Sequence, residues 1–362
     1  MGRWFGRTSN DTGYCSLSDL PKVSIVIPCR NEEKFIGKCL DSILANGYPR
    51  DQLEILVVDG MSEDGTRRTV ESYAHNYAFI RLLDNPKQIT PAALNIGIAN
   101  AKGEIIMRMD AHSSYSLNYI SGLVGWLEKT QADNVGGVCI TVPATQTFMA
   151  EAIALALSHP FGVGNAYFRI GVKEPRWVDT VPFGCYRREV FDRIGMFDEE
   201  LVRNQDDEFN LRLLKRGGRI LLVPNIVSYY YARDSLCKLW RMYYQYGYFK
   251  PLVARKVGGV LTMRQVIPAV FVLGLLVSGA LAPWTAYSGW ALCAIIFAYV
   301  VADLGSSICV GFQRGVRCAL AIPVVFPVLH LSYGLGFLKG VLDFFILGNK
   351  RREDGARISI TR

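Results

Sequence analysis

No two of the nine cysteines stand in a C-x-x-C spacing or at any other metal-ligand spacing, which excludes a zinc ribbon or a dithiol redox centre as the chemistry of the chain. The opening segment "MGRWFGRTSNDTGYCSLSDL" has no apolar signal-peptide core, and it lacks the Ser or Thr of a myristoylation signal. Reduced thiols in a cytosolic setting fit both absences. The common phosphate cradles are missing too, since there is neither a Walker A loop nor a G-x-G-x-x-G. Repeats and low-complexity tracts do not occur. The most informative absence is of charge: from Val266 to Ala302 no charged residue appears in 37 positions. A membrane-spanning helix needs only about 20 apolar residues.

A run that long must fold back, and "APWTAYSG" (Ala282 to Gly289) supplies the Pro, Ser and Gly for a turn. The expectation is a helical hairpin over about 266–282 and 289–311. A second uncharged run, Cys318 to Leu338, carries Pro323, Pro327 and His330; a broken or re-entrant segment is expected over about 318–347, with Gly336 and Gly340 as a small-residue packing face. It returns a basic tail, 349–362 with "KRRE", to the cytoplasm. The net charge of +8 is concentrated just before the hairpin. Between Arg233 and Arg264 seven Lys and Arg oppose one acid, Asp234, a balance of +6, with Trp240, Tyr243, Tyr244, Tyr246 and Tyr248 interleaved. Such interleaving can bind nucleic acid, but beside a span it reads as a membrane-interface segment over 233–264, and no nucleic-acid partner is expected. The positive-inside rule then predicts a multi-pass protein of the inner (cytoplasmic) membrane with its large domain in the cytoplasm.

After an N-terminal extension (1–21), residues 22–232 alternate apolar β-branched runs with helical stretches. "KVSIVIPC", "LEILVVD", "FIRLLD" and "EIIMRMD" predict strands, with helices at Glu32–Ala45, Asp64–Asn76, Pro91–Ala101 and Leu117–Lys129. Near-continuous apolar strands separated by helices predict an α/β domain on an open, mostly parallel, doubly wound sheet. Ligands bind such sheets at the carboxyl ends of the strands, where "PCRNEE", "DGMSEDGT" and "DAHSSY" stand. Asp59 and Asp110 each end a strand. Either alone reads as a turn former. With His112 two residues beyond Asp110, an oxygen and an imidazole become available to a divalent cation, one that would neutralise phosphate in the absence of a cradle.

The stretch "VRNQDDEFNLRLLKRGG" gathers Asp206, Asp207 and Glu208 at the start of a predicted helix. Carboxylates there can cap free N–H groups and complement the macrodipole. Helical spacing puts Glu208 on a stripe with Arg212 and Lys215, a face for water and an i,i+4 ion pair. Asp206 and Asp207 fall nearer the packed side, where a carboxylate needs partners or a task. The pattern leaves helix cap and acid/base catalyst as alternatives.

The order of "VSIVIPCRNEEKFIGKCLDSI", "EILVVDGMSEDGT", "LNIGIANAKGEIIMRMDAH" and "GCYRREVFDRIGMFDEELVRNQDDEFNLRLLKRGG" resembles the family 2 glycosyltransferases, with their nucleotide-sugar-binding GT-A fold. Within that family "VDTVPFGCYRREVF", "QYGYFK" and "HLSYGLGFLKG" are similar to the membrane-associated, succinoglycan-type bacterial transferases. The resemblance implies that Pro28, Arg30, Asn31, Glu32 and Asp59 help hold the nucleoside. Asp110 takes the first place of the family's Asp-x-Asp, facing ribose and metal, and His112 stands in the second. Mg²⁺ or Mn²⁺ is the implied cofactor, with Asp110 and His112 as its ligands. The family's Glu-Asp falls on Gln205 and Asp206, making Asp206 the catalytic base, with Glu208 at a following acidic position. Gly184, Cys185 and Tyr186 border the sugar pocket, and Asp207 is left as cap or support. "YYQYGYFK" lacks the Gln-x-x-Arg-Trp of processive synthases, which favours single-sugar addition.

The implied activity is inverting transfer of a sugar from a nucleotide donor, UDP-linked by expectation, to a hydroxyl of a polyprenyl-diphosphate-linked glycan in exopolysaccharide or cell-surface polysaccharide synthesis. One alternative charges polyprenyl phosphate itself, an acceptor that is already an anion and needs a base less. Another is a membrane-tethered nucleotide-sugar sensor without catalysis, which has no use for Asp206. A transporter is disfavoured by spans with no buried charged pair. Nothing in the sequence bears on oligomeric state.

Overall fold

The computed structural model describes residues 20–259 and 262–348. The expected basic tail, and the N-terminal extension up to residue 19, lie outside the described residues.

Strands β1 (Val23–Cys29) and β2 (Leu53–Asp59) are buried at every position. Continuous apolar runs are therefore what the chain must supply there, with helices on both faces. With β3 (Ile80–Asp84) and β4 (Ile105–Arg108) they form a parallel set in the order β3-β2-β1-β4. The crossovers are α1 (Ile36–Leu44), α2 (Thr66–Asn76) and α3 (Thr90–Asn100). Helix α1 starts four residues later than its predicted Glu32. Asn31 adopts a left-handed φ of 54°, and the next N–H groups go to the neighbouring loop: Glu32 N–H donates to Thr66 Oγ1 at 2.7 Å. The loops after β1 and β2 are thereby tied together.

Beyond β4 the sheet is mixed. The chain continues through β5 (Ser113–Tyr115), α4 (Tyr119–Thr130), β6 (Asn134–Pro143), the short helices α5 (Phe148–Ala156), α6 (Pro160–Val163) and α7 (Tyr167–Ile170), β7 (Arg176–Trp177), β8 (Cys185–Arg187), α8 (Glu189–Ile194), α9 (Gln205–Lys215) and β9 (Ile220–Ala232). Strand β8 runs antiparallel between β4 and β6, and β9 follows β6 with β5 and β7 paired to it. The parallel half sets the strand ends, and the mixed half closes a wall beside them.

Helix α10 (Leu236–Val257) leads to α11 (Met263–Leu281), α12 (Ala286–Arg314) and α13 (Val316–Val341), with a π-helical turn at Leu342–Ile346. Among the described residues three helices are long and apolar enough to cross a membrane: Met263–Leu281, Ala286–Phe312 and Leu320–Ile346. The first two form the expected hairpin, and α11 at 19 residues is about 28 Å long, close to the hydrocarbon thickness. Trp284, Tyr287 and Trp290 are exposed at its turn, where amphipathic rings suit a headgroup layer.

Two expectations are corrected. The third segment is not broken: α13 runs through Pro323 and Pro327, held by packing on both sides. Nor is the basic stretch before the hairpin kept for headgroups. Lys250 pairs with Asp207, Lys256 with Asp198 and Glu200, and Arg264 with Asp179, while Arg255 donates to the Phe344 carbonyl. Those four cations bind the protein itself; Lys238 and Arg241 remain exposed. The glycines behave as expected. A Cβ on Gly336 would lie 2.1 Å from the Tyr244 carbonyl oxygen and one on Gly340 2.2 Å from that of Tyr248, so α10 and α13 touch backbone to backbone.

Candidate active site

A cavity of about 640 Å³ opens at the carboxyl ends of the parallel strands. Pro28, Arg30 and Glu32 come from the exit of β1; Arg108, Asp110 and His112 from that of β4. The first turn of α9 brings Gln205, Asp206 and Asp207 to the opposite side. The cavity then continues between α10 and the membrane helices, where Phe271, Tyr299, His330 and Tyr333 line it.

Asp59 and Asn31 stand behind this wall. Asp59 is wholly buried, accepting from the Ser62 N–H (2.9 Å) and hydroxyl (2.5 Å) and from Arg67 (3.1 Å). Asn31 accepts from the Glu63 N–H at 2.9 Å, while its own N–H donates to Ser62 at 2.8 Å. Both residues shape the floor from which Pro28, Arg30 and Glu32 project. The expected place of Gly184, Cys185 and Tyr186 is corrected. Cys185 and Tyr186 are buried in β8, and the Gly184 carbonyl accepts the Arg108 N–H. Alternate side chains of the strand enter the two cores on either face of the sheet, Cys185 one and Tyr186 the other. The residues just before it, Thr180 to Phe183, line the cavity instead.

Arg108 is the residue that sequence reading missed. Its guanidinium is 8% exposed and bridges Asp110, at 3.1 Å, and Asp206. The signal was present, because Arg108 and Asp110 stand two apart and an extended chain puts such residues on one side. Burial raises the Asp206 carboxyl to about 6 against the pull of Arg108, with Asp110 and Asp207 adding to the rise. Burial works the same way on Asp110, but there Arg108 and His112 outweigh it and hold the group below the usual range. Two carboxylates sharing one arginine are thus set apart: one firmly anionic, the other able to take a proton near neutrality.

The alternative of a helix cap fails. No side chain caps α9, whose preceding residue Asn204 is left-handed (φ 60°) and donates to the Tyr246 carbonyl at 2.8 Å. Asp207 is a support, paired with the buried Lys250 of α10. Asn210, one turn on, accepts from the Asn134 amide at 3.0 Å and donates to Thr180 Oγ1 at 2.9 Å, which fixes the helix to the sheet. Glu208 departs from its expected solvated face. It makes the predicted i,i+4 pair with Arg212, at 2.7 and 2.9 Å, but is only 4% exposed. Arg212 also donates to the carbonyls of Ile194 and Met196, so the loop after α8 roofs the pair.

His112 Nδ1 faces Glu32 Oε1 at 3.2 Å, an arrangement that orients the ring toward the cavity from behind. Among the described residues no three His, Cys, Asp or Glu side chains gather to hold a metal. Asp110 and His112, both partly exposed in the cavity, make a mixed oxygen and nitrogen pair. That pair suits a cation whose other positions fall to diphosphate oxygens and water, not a closed structural site. Besides a cation held there, Arg and Lys side chains line the same cavity, three of them (Arg108, Lys250 and Arg264) already paired with carboxylates.

The family model for Glycosyl transferase family 2 matches residues 24–195. Similar chains include the succinoglycan biosynthesis protein ExoA of Rhizobium meliloti (strain 1021), 31% identical over 88% of this chain and 95% of that protein. Another is the dolichyl N-acetyl-alpha-D-glucosaminyl phosphate 3-beta-D-2,3-diacetamido-2,3-dideoxy-beta-D-glucuronosyltransferase of Methanococcus voltae, 29% identical over 88% of this chain and 97% of that one. Among solved structures, the mannosyltransferase PcManGT of Pyrobaculum calidifontis in complex with GDP-Man and Mn²⁺ shares the fold. Its TM-score is 0.57 at 20% identity, covering 90% of this chain and 89% of that one. Strand order, the cavity at the strand ends and these likenesses agree: the chain belongs to glycosyl transferase family 2 and is a glycosyltransferase.

Proposed function

We propose that the chain transfers a single sugar, with inversion, from a nucleotide-sugar donor to a hydroxyl of a lipid-linked glycan, polyprenyl-diphosphate-linked by expectation. The observation that carries this reading is one continuous cavity. At one end it has the loops at the strand ends, in the middle Asp206 beside Arg108 and Asp110, and at the other Phe271, Tyr299 and Tyr333 of the membrane helices. Pro28, Arg30 and Glu32, braced by Asn31 and Asp59, hold the nucleoside. Asp206 takes the proton of the acceptor hydroxyl as its oxygen attacks the anomeric carbon. Attack opposite the leaving diphosphate inverts the configuration. Mg²⁺ or Mn²⁺, when held by Asp110 and His112, neutralises charge on that diphosphate. The names of the Methanococcus voltae and Rhizobium meliloti relatives, one a transferase acting on a dolichyl-linked sugar phosphate and one a succinoglycan biosynthesis protein, support a lipid-linked acceptor in polysaccharide synthesis.

The test is to incubate membranes containing the protein with a panel of radiolabelled nucleotide sugars, with and without lipid extracts of a polysaccharide-producing cell. Label should pass to the organic phase only with one donor and only when extract is added, and excess chelator should abolish it. Label confined to the aqueous phase with every donor refutes the lipid-linked acceptor.

A further inference from the structure

The cavity holds further polar side chains besides the carboxylates and Arg108. Its seven Arg and Lys side chains face only four carboxylates. Arg108 is neutralised by Asp110 and Asp206, Lys250 by Asp207, and Arg264 by Asp179. Arg169 and Arg233, like Arg30 at the exit of β1, form no ion pair among the described residues. Arg169, on α7, donates to Thr141 Oγ1 at 3.1 Å and lies 5.2 Å over the ring of Tyr230. Arg233, between β9 and α10, keeps a buried Nε without a hydrogen-bond partner among the described residues. Tyr243 and Tyr246 of α10, with ring centroids 5.6 Å apart, line the cavity beside them. Both residues are half-buried; a partly desolvated cation without a counter-charge favours an anion, and two guanidinium forks beside phenolic hydroxyls match the oxygens of a phosphate chain.

The position of these groups decides which phosphate chain. The Tyr230 ring stands 5.2 Å from the His112 ring and 5.2 Å from the Arg169 guanidinium, so it contacts the donor end and the arginines alike. Arg233, Tyr243 and Tyr246 belong to or adjoin α10, which packs on α13. We infer that Arg169 and Arg233, with Tyr243 and Tyr246, form a diphosphate subsite for the prenyl-linked acceptor, distinct from the place of the donor diphosphate. This rests on the lipid-linked reading above and adds the residues that would recognise the lipid.

The same chemistry could come from the donor or from an anionic phospholipid headgroup, and a binding experiment separates these. The full chain in phosphatidylcholine nanodiscs is titrated with radiolabelled farnesyl diphosphate, without donor, beside farnesol, UDP and GDP, and again in nanodiscs containing phosphatidylglycerol. Farnesyl diphosphate should bind the wild type, and farnesol should not compete. Arg169→Gln and Arg233→Gln should each weaken it about tenfold or more, as loss of a charged hydrogen bond does, with Arg233→Lys losing less. Binding of the nucleotide that the wild type prefers should stay within about twofold in every variant, which also shows that the variants fold. Unchanged farnesyl diphosphate affinity in both Gln variants overturns the subsite. So does loss of nucleotide binding with farnesyl diphosphate retained, which gives the arginines to the donor, or displacement of farnesyl diphosphate by phosphatidylglycerol, which gives them to headgroups. If farnesyl diphosphate binds through these arginines but no lipid is labelled in the transfer assay, the acceptor reading alone is refuted. Transfer to lipid with unchanged affinity in both variants refutes the subsite alone.

Discussion

Asp206 and Glu208 sit two residues apart on one helix and carry opposite expectations. Asp206→Asn keeps size and hydrogen-bonding capacity but cannot accept the proton, so single-turnover transfer should fall by about 10²–10⁴ with donor affinity nearly unchanged. Glu208→Gln should leave the chemical step alone. Because the Glu208–Arg212 pair is roofed by the loop after α8, it should lower stability by about 2 kcal/mol, read as an earlier thermal midpoint in detergent. Dead Glu208→Gln beside active Asp206→Asn would reverse the assignment, and activity in both would favour a lipid phosphate as acceptor. The raised carboxyl of Asp206 adds a pH limb. The base must be ionised and its pKa lies at about 6, so the transfer rate should drop tenfold per unit below that value and level off above it. A limb that persists in Asp206→Asn belongs to another group. At this scale the sequence was readable at Asp110, at a strand end; Arg108, two residues before it on the same side of an extended chain, was missed although the same period points to it. The sequence misled at Glu208, because which face of a helix is wet depends on what folds over it from elsewhere, here Ile194 and Met196.

Between elements, the coupling of interest runs from α13 through α10 to α9. Gly247 on α10 would place a Cβ 2.0 Å from the Tyr333 carbonyl oxygen, and Gly336 and Gly340 on α13 make the reciprocal approach. Helix α10 in turn holds the start of α9, through Lys250 on Asp207 and the Tyr246 carbonyl on Asn204. The membrane-facing helices therefore set where Asp206 stands. Gly336→Leu forces two backbones apart, an overpacking that costs about 1–3 kcal/mol. It should reduce transfer severely while nucleotide binding at the strand ends survives, because β1, β2 and β4 are held chiefly by their neighbouring strands and by α3. Equal loss of both would show general unfolding rather than a broken linkage. The glycines were visible in the sequence as a small-residue face. The pairing of Lys250 with Asp207 was not, since 43 residues separate them and nothing local distinguishes Lys250 from its basic neighbours.

For the whole molecule, the open point is on which side of the membrane α13 leaves the C-terminus. By length and composition Leu320–Ile346 could cross, and three crossings would put the two ends of the chain on opposite sides. Packing argues otherwise. The first half of α13 lies on α5 and α6, with Phe326 edge-on to Phe161 at 4.9 Å and His330 hydrogen-bonded to the Phe161 carbonyl at 2.9 Å. The second half lies on α10, and just beyond it the Phe344 carbonyl accepts from Arg255 at 2.6 Å and Asp343 from Tyr248 at 2.9 Å. Helices α5, α6 and α10 adjoin the sheet, so α13 is held to that side at both ends, while α11 and α12 pack on the rest of its surface. Half of its apolar window is buried, against 22% and 17% for α11 and α12. A helix tied at both ends to the sheet side is expected to return the chain to that side. A fluorescent reporter fused after Gly348 should therefore report the same compartment as one fused at the N-terminus, the cytoplasm, whereas a reporter inserted between Ala282 and Thr285 should report the opposite side. If the Gly348 fusion is active only as a periplasmic reporter, α13 crosses, and the cavity wall formed by Tyr333 and His330 lies within the bilayer rather than at its surface.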